Sequence, residues 1–295
     1  MPAVVHALDS DSPFIIDVLM GEPVEMETML DDLADTKIIY LGEVHTIARH
    51  HKLQADMLKR LEQRGLKLAL GMEMFSTQQQ AVLDRWVSSK QSINDLIREL
   101  GKEHWTNLKD YESVLTTARD LGIALVGLNA PDDLVHKIAR EGLAGLSPKE
   151  KASLPEDLEQ INPLNDRLLR LRLRVHKAFE AKSLDNIVLA QALRDATMAR
   201  AVVEFLNSAE GKDAVMVVIA GSGHVNYGFG IPERVKRKLD LPSRIILASE
   251  SGELVLSEQE MRQMAPVHLT HKDLEFIQKP VADYLHVIPL KEEIQ

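Results

Sequence analysis

The residues best suited to chemistry fall in three short segments: Gly42-Glu43-Val44-His45, Gly71-Met72-Glu73 and Gly221-Ser222-Gly223-His224. Each follows a run rich in β-branched and apolar residues, at 37–41, 67–70 and 214–220, which reads as a buried strand. In an open parallel sheet, ligands sit beyond the carboxyl ends of the strands, so three such ends deliver their polar groups to one crevice. Glu43 and His45 are two apart and leave the same face of an extended chain. A carboxylate and an imidazole so placed suit general acid–base work, and the set Glu43, His45, Glu73 and His224 is also a donor set for a divalent ion. The plainer reading of Glu43 and His45 is a helix cap and a packed strand-end histidine.

Two helical stripes carry polar residues where apolar ones are expected. Ile47, His51, Gln54, Leu58 and Leu61 follow three- and four-residue steps, which places His51 and Gln54 on a buried face, while Arg49 and His50 look away from it and read as solvated. In a later stripe of Leu184, Val188, Gln191, Asp195, Met198, Val202 and Phe205, Gln191 and Asp195 interrupt the apolar run. A buried carboxylate needs a partner, and the expectation is Arg194 beside it or a site histidine. Asn129, just before Ala130-Pro131, either hydrogen-bonds into the crevice or makes a turn. The loop from Gly221 to Gly230 has neither the Walker lysine pattern nor the Gly-x-Gly-x-x-Gly pattern, which argues against nucleotide binding and leaves His224 as a ligand or an acid/base. Arg167, Arg170, Arg174 and Lys177 form a basic stripe that reads as a solvated face, with an anion site as the alternative.

These residues must be held by alternating strands and helices. A helix is predicted over 46–64, stopped by Gly65, and capping boxes at Ser76-Thr77-Gln78-Gln79 and Ser92–Asp95 open two more. A helix over 108–121 precedes a strand at 123–128; after 214–220 come a helix opening at Pro232, a strand at 244–248 and an edge strand at 282–288. The rhythm breaks between 147 and 183, where three prolines and a helix over 164–182 precede the next helix, 184–207, without a strand. The prediction is a three-layer α/β fold, a mainly parallel central sheet with helices on both faces and a helical insertion at 147–183, all within one domain over 1–295.

Composition narrows the function. A net charge of −10 disfavours a nucleic-acid partner, and the absence of cysteine excludes disulfides, thiolate metal sites and covalently attached haem. A metal or haem iron must then be bound by histidine, carboxylate, tyrosine or methionine. No signal-peptide pattern or membrane span is visible, so the chain reads as cytoplasmic as written.

Leu41-Gly42-Glu43-Val44-His45 with His51-Lys52-Leu53-Gln54, Gly71-Met72-Glu73-Met74-Phe75, Leu128-Asn129-Ala130-Pro131, the 191–199 segment, and Ala220-Gly221-Ser222-Gly223-His224 with Gly230-Ile231-Pro232 resemble the ChaN-like haem-binding family. That family is grouped with the erythromycin esterases and the TIKI/TraB proteins. The resemblance implies haem as cofactor and a role in haem or iron handling, often in exported lipoproteins. It maps the superfamily's polar site to Glu43, His45, His51, Glu73, Arg194, Asp195 and His224. His51, Asn129, His224 and Tyr227 are the candidate haem contacts, and His224 and Tyr227 the candidate iron ligands. The chain departs from the pattern at Thr46-Ile47, where ChaN-like sequences often carry Asp-Asn. Haem shared between two protomers would make a homodimer the expected assembly, because aromatic content is only 4%. The related hydrolases imply an alternative: a metal-dependent or Glu/His-based esterase or protease using Glu43 as base and Arg194 to stabilise developing charge.

Overall fold

The computed structural model describes residues 13–173, 181–251 and 270–289. An eight-stranded sheet runs in the order β2-β1-β8-β7-β3-β6-β4-β5. Its centre is parallel: β3 (Ile38–Glu43) lies between β7 (Ser243–Ser251) and β6 (Val215–Gly221), and β4 (Leu68–Ser76) lies between β6 and β5 (Ala124–Asn129). These central strands are rich in isoleucine, valine and leucine because both of their faces are covered. Ile39, Leu41, Val217 and Ile219 point into one apolar layer, and Ile38, Tyr40, Met216 and Val218 into the other.

Helices fill both layers, as the alternation of strand and helix predicts. On the first face pack α1 (Met26–Ala34), α2 (Ala48–Gln63), α3 (Gln80–Val87), α4 (Ile93–Leu100) and α5 (Glu112–Asp120). On the second pack α9 (Ala181–Asn207) and α10 (Ile231–Lys236). Between them in sequence come α6 (Asp132–Glu141), α7 (Pro148–Ser153) and α8 (Pro163–Leu173). Within 147–173 the chain is helical in α7 and α8 and non-helical over 154–162; Arg174, Lys177 and the end of the predicted helix lie outside the described residues. The rest of the basic stripe is occupied, with Arg170 paired to Asp166 and Asp185 and Arg167 stacked on Phe276.

Three local expectations change. The first long helix starts at Ala48 rather than Thr46, after an extended Ile47, and it stops at Gly65, whose φ of 78° suits a residue without a Cβ. The segment over 108–121 opens as a 3-10 turn, Leu108–Tyr111, before α5. The last strand, β8 (Tyr284–Pro289), is not an edge: it runs parallel to β7 and antiparallel to β1 (Phe14–Asp17). The reason is a hairpin of β1 and β2 (Glu22–Val24), whose turn is tied by Asp17 accepting the Leu19 and Met20 amides. That hairpin supplies β8 with its second neighbour, and among the described residues the edges are β2 and β5.

Candidate functional site

The carboxyl ends of β3, β4 and β6 converge. Glu43, the last residue of β3, is buried, and its two oxygens face four side chains. Oε1 lies 2.8 Å from His45 Nδ1 and accepts from the Tyr111 hydroxyl; Oε2 accepts from Gln54 Nε2 at 2.5 Å and lies 3.5 Å from His51 Nε2. Burial alone would raise the Glu43 carboxyl. The hydrogen bonds from His45, Tyr111 and Gln54 outweigh burial and hold it below the usual range.

His45 is the accessible member, with 28% of its side chain exposed. Its Nε2 lies 3.6 Å from Glu73 Oε2, its carbonyl accepts from Asn107 Nδ2 at 2.7 Å, and Trp105 meets its ring edge-on at 5.1 Å. Burial lowers this imidazole, but the hydrogen bond to Glu43 and the charges of Glu73 and Glu43 raise it overall. A Cβ on Gly221 would stand 2.7 Å from His45 Nε2, so the end of β6 must be glycine for the ring to sit there.

Behind His45 lies a buried chain of charges. Glu73 Oε2 accepts from the Gly221 amide at 2.7 Å, and its Oε1 is 3.1 Å from His224 Nε2. His224 Nδ1 is 2.5 Å from Asp195 Oδ1, with the Gln191 amide 3.0 Å away. Burial opposes a charged imidazole, yet the two carboxylates push His224 up to about 10, and Glu73 falls to about 2, against its own burial, chiefly through the charge of His224. Asp195 is raised by burial despite that histidine. The acidic neighbours thus favour the charged form of the His224 ring, and that ring in turn favours the ionised form of Glu73.

The structure brings Glu43, His45, Glu73, Asp195, His224 and His51 into this network, but His51 is fully buried behind Glu43 and stacks on Tyr111 at 3.9 Å. Arg194 does not join it. Its Nη2 reaches Asp132 at 3.4 Å, and the partner of Asp195 is the alternative, a site histidine, because the two neighbours on the helix point to different sides. His50 is also not solvated: it is buried, and its Nδ1 accepts the Val44 amide at 3.0 Å, pairing a strand-end N–H that would otherwise be orphaned. Asn129 braces β4 by donating to the Glu73 carbonyl at 3.0 Å while its own oxygen caps Ala130. Tyr227 stands on the following loop with a φ of 60°; its amide donates to the Val281 carbonyl, and its ring lies 6.2 Å from Phe229. Among the described residues, no group of three or more histidine or carboxylate side chains is arranged to hold a metal ion. Glu43, His45, Glu73 and His224 are instead aimed at one another.

Sequence reasoning missed Tyr111, Trp105 and Asn107. Tyr111 sits at the junction of a 3-10 turn and a helix, where an aromatic residue reads as core, and only its hydroxyl's contact with Glu43 reveals it. Glu73, Trp105, Asn129 and Asp132 border a cleft of about 180 Å³, and two of them, Glu73 and Trp105, also touch His45.

Known proteins share this architecture. The structure matches ChaN of Campylobacter jejuni, described with cofacial haem, at a TM-score of 0.68 and 20% identity, over 93% of this chain and 96% of that one. It matches a mutant of the erythromycin esterase EreC in its open conformation at a TM-score of 0.52 and 13% identity, over 94% and 97% of the two chains. At such identities the likeness is one of fold. RETICULATA-RELATED 5, a chloroplastic protein of Arabidopsis thaliana, is 24% identical over 250 residues covering 78% of this chain, which spans about a third of that protein's length (34%). Residues 29–235, from α1 to α10 and including every member of the buried network, match the family described as haem-binding uptake, Tiki superfamily, ChaN, and the chain belongs to that family.

Proposed function

We propose that the protein binds haem on the loop after β6, with the Tyr227 phenol oxygen as iron ligand. The observation that carries this choice is the enclosure of His224: its ring nitrogens face Asp195 and Glu73 inside the protein, so it has no nitrogen to offer at the surface. Tyr227, three residues on, is only partly buried. It holds a left-handed backbone that a bulky residue rarely adopts and that functional sites often retain. The surroundings fit the group. A phenolate is an established type of haem ligand, and Phe229 lies beside it with the Lys279 ammonium 5.0 Å over its ring. Arg172, whose Nη2 donates to the Asn226 side-chain oxygen at 2.9 Å, adds a second cation suited to a propionate. Haem would supply the iron centre; the chain's part is to bind and orient it. Haemin titration is expected to give a saturable Soret shift, altered in Tyr227→Phe and unchanged in His45→Ala. Nonsaturable binding, or the same shift with an unrelated acidic protein, overturns the reading.

A second reading, a Glu/His-based hydrolase, is favoured by one arrangement: the accessible imidazole of His45 is oriented through Nδ1 by buried Glu43, leaving Nε2 directed toward Glu73 at the cleft. His45 then suits the role of acid/base better than Glu43, whose two oxygens already accept hydrogen bonds. A panel of ester, amide and phosphate substrates, with and without manganese, cobalt or zinc, tests it. Turnover on one of them that falls about 100-fold in His45→Ala supports the hydrolase; no turnover above that variant on any of them removes it.

A further inference from the structure

The outer edge of β5 is not open, although β5 ends the sheet. The primary amide of Gln80, the first residue of α3, reaches across to it: Nε2 donates to the Leu125 carbonyl at 2.7 Å, and Oε1 accepts the Gly127 amide at 2.9 Å. In a parallel ladder, one residue of a neighbouring strand uses this same pair, giving its N–H to the carbonyl of residue i and taking the N–H of residue i+2. Gln80 therefore occupies the hydrogen-bonding position of one residue in a ninth strand. Asp84, one turn along α3, accepts from the same Nε2 at 2.7 Å and fixes the amide in that pose.

The edge needs such a device because it is otherwise approachable. A groove of about 610 Å³ runs along it, bordered by Val126, Gly127 and Phe205 as well as by the carboxylates of Asp84, Glu204 and Glu210. Among the described residues no lysine or arginine borders the groove, although Arg200 stands 3.9 Å from Glu204 just outside it. A second copy pairing edge to edge about a twofold axis would set two β5 strands antiparallel and bring both sets of carboxylates together, which adds repulsion to the missing backbone partners. We infer that Gln80 and the flanking carboxylates close the β5 edge against pairing with a second copy of this chain. Any self-association of the native protein must then use another surface.

Hydrogen exchange at the Gly127 amide, followed by NMR, reads the closure directly, and light scattering at low and high salt reads its consequence. In Gln80→Ala, Gly127 is expected to exchange about tenfold faster, the loss of roughly one hydrogen bond's protection. The variant is also expected to self-associate at a protein concentration about tenfold below wild type once salt screens the carboxylates. Gln80→Glu keeps the size but sets a carboxylate oxygen against the Leu125 carbonyl and the Asp84 carboxylate, so its side chain is expected to turn away and Gly127 to lose protection there as well. A far-UV dichroism spectrum matching wild type confirms that both variants are folded. Unchanged exchange at Gly127 in Gln80→Ala overturns the assignment of Gln80, and faster exchange without association at any salt overturns the closure.

Discussion

His224 Nδ1 and Asp195 Oδ1 lie 2.5 Å apart inside the protein, joining the loop after β6 to the middle of α9 across 29 residues of sequence. Glu73 holds the other side of the same ring, so two acidic groups favour a charge that burial opposes.

Removing one partner from such a pair leaves the other charge stranded. Asp195→Ala is expected to cost about 3 kcal/mol or more, the range for an uncompensated buried charge. Asp195→Asn, which keeps a hydrogen-bond acceptor for the ring, is expected to lose less. Urea unfolding at neutral pH measures both; an Asp195→Ala midpoint equal to wild type would show that the pair contributes nothing.

The same pair sets a pH dependence. The His224 pKa is raised from 6.5 to about 10, so its contribution is complete below pH 6.5 and is lost as pH rises through 10. Glu73 is lowered from 4.5 to about 2, so its contribution is complete above pH 4.5 and is lost as pH falls through 2. Between pH 6.5 and 10 the unfolding free energy should decline, and His224→Gln should flatten that decline. A slope identical in wild type and His224→Gln would remove His224 as its source.

His45 titrates above its ordinary value because acidic neighbours outweigh its burial. Glu43→Gln removes the hydrogen-bonded charge and keeps the size, so the His45 titration midpoint, followed by its ring proton NMR signals, is expected to fall by about one unit or more. Tyr111→Phe should leave it nearer wild type, since that change removes a donor to Glu43 and no charge. An unmoved midpoint in Glu43→Gln would mean that His45 does not feel this carboxylate.

Gly221→Ala tests the close approach at the end of β6. The added Cβ would meet His45 Nε2 at 2.7 Å and Glu73 Oε2 at 3.5 Å, so the imidazole must move outward. The expected outcome is a loss of about 1–3 kcal/mol, as for overpacking elsewhere, together with a shifted His45 ring resonance. Wild-type stability with an unshifted resonance would show that the site accommodates the methyl group.

Much of this protein was legible in its residues. Hydrophobic period, capping boxes and strand-ending glycines are local signals, and they sufficed for the central parallel strands, most helix bounds and the meeting of Glu43, Glu73 and His224 at the carboxyl ends of the strands. Period also showed that Asp195 faces inward, but not what it meets there. Partner choice depends on how distant elements register, so Asp195 pairs with His224 rather than Arg194, His50 turns inward to Val44, and Tyr111 reaches Glu43 from 68 positions away. The place of β8 inside the sheet rests on a short hairpin at the other end of the chain, with too few residues for a periodic signal. A local pattern specifies which face of an element is buried; only tertiary packing decides which polar group waits on the other side, because each buried donor or charge must be satisfied by whatever the fold brings within reach.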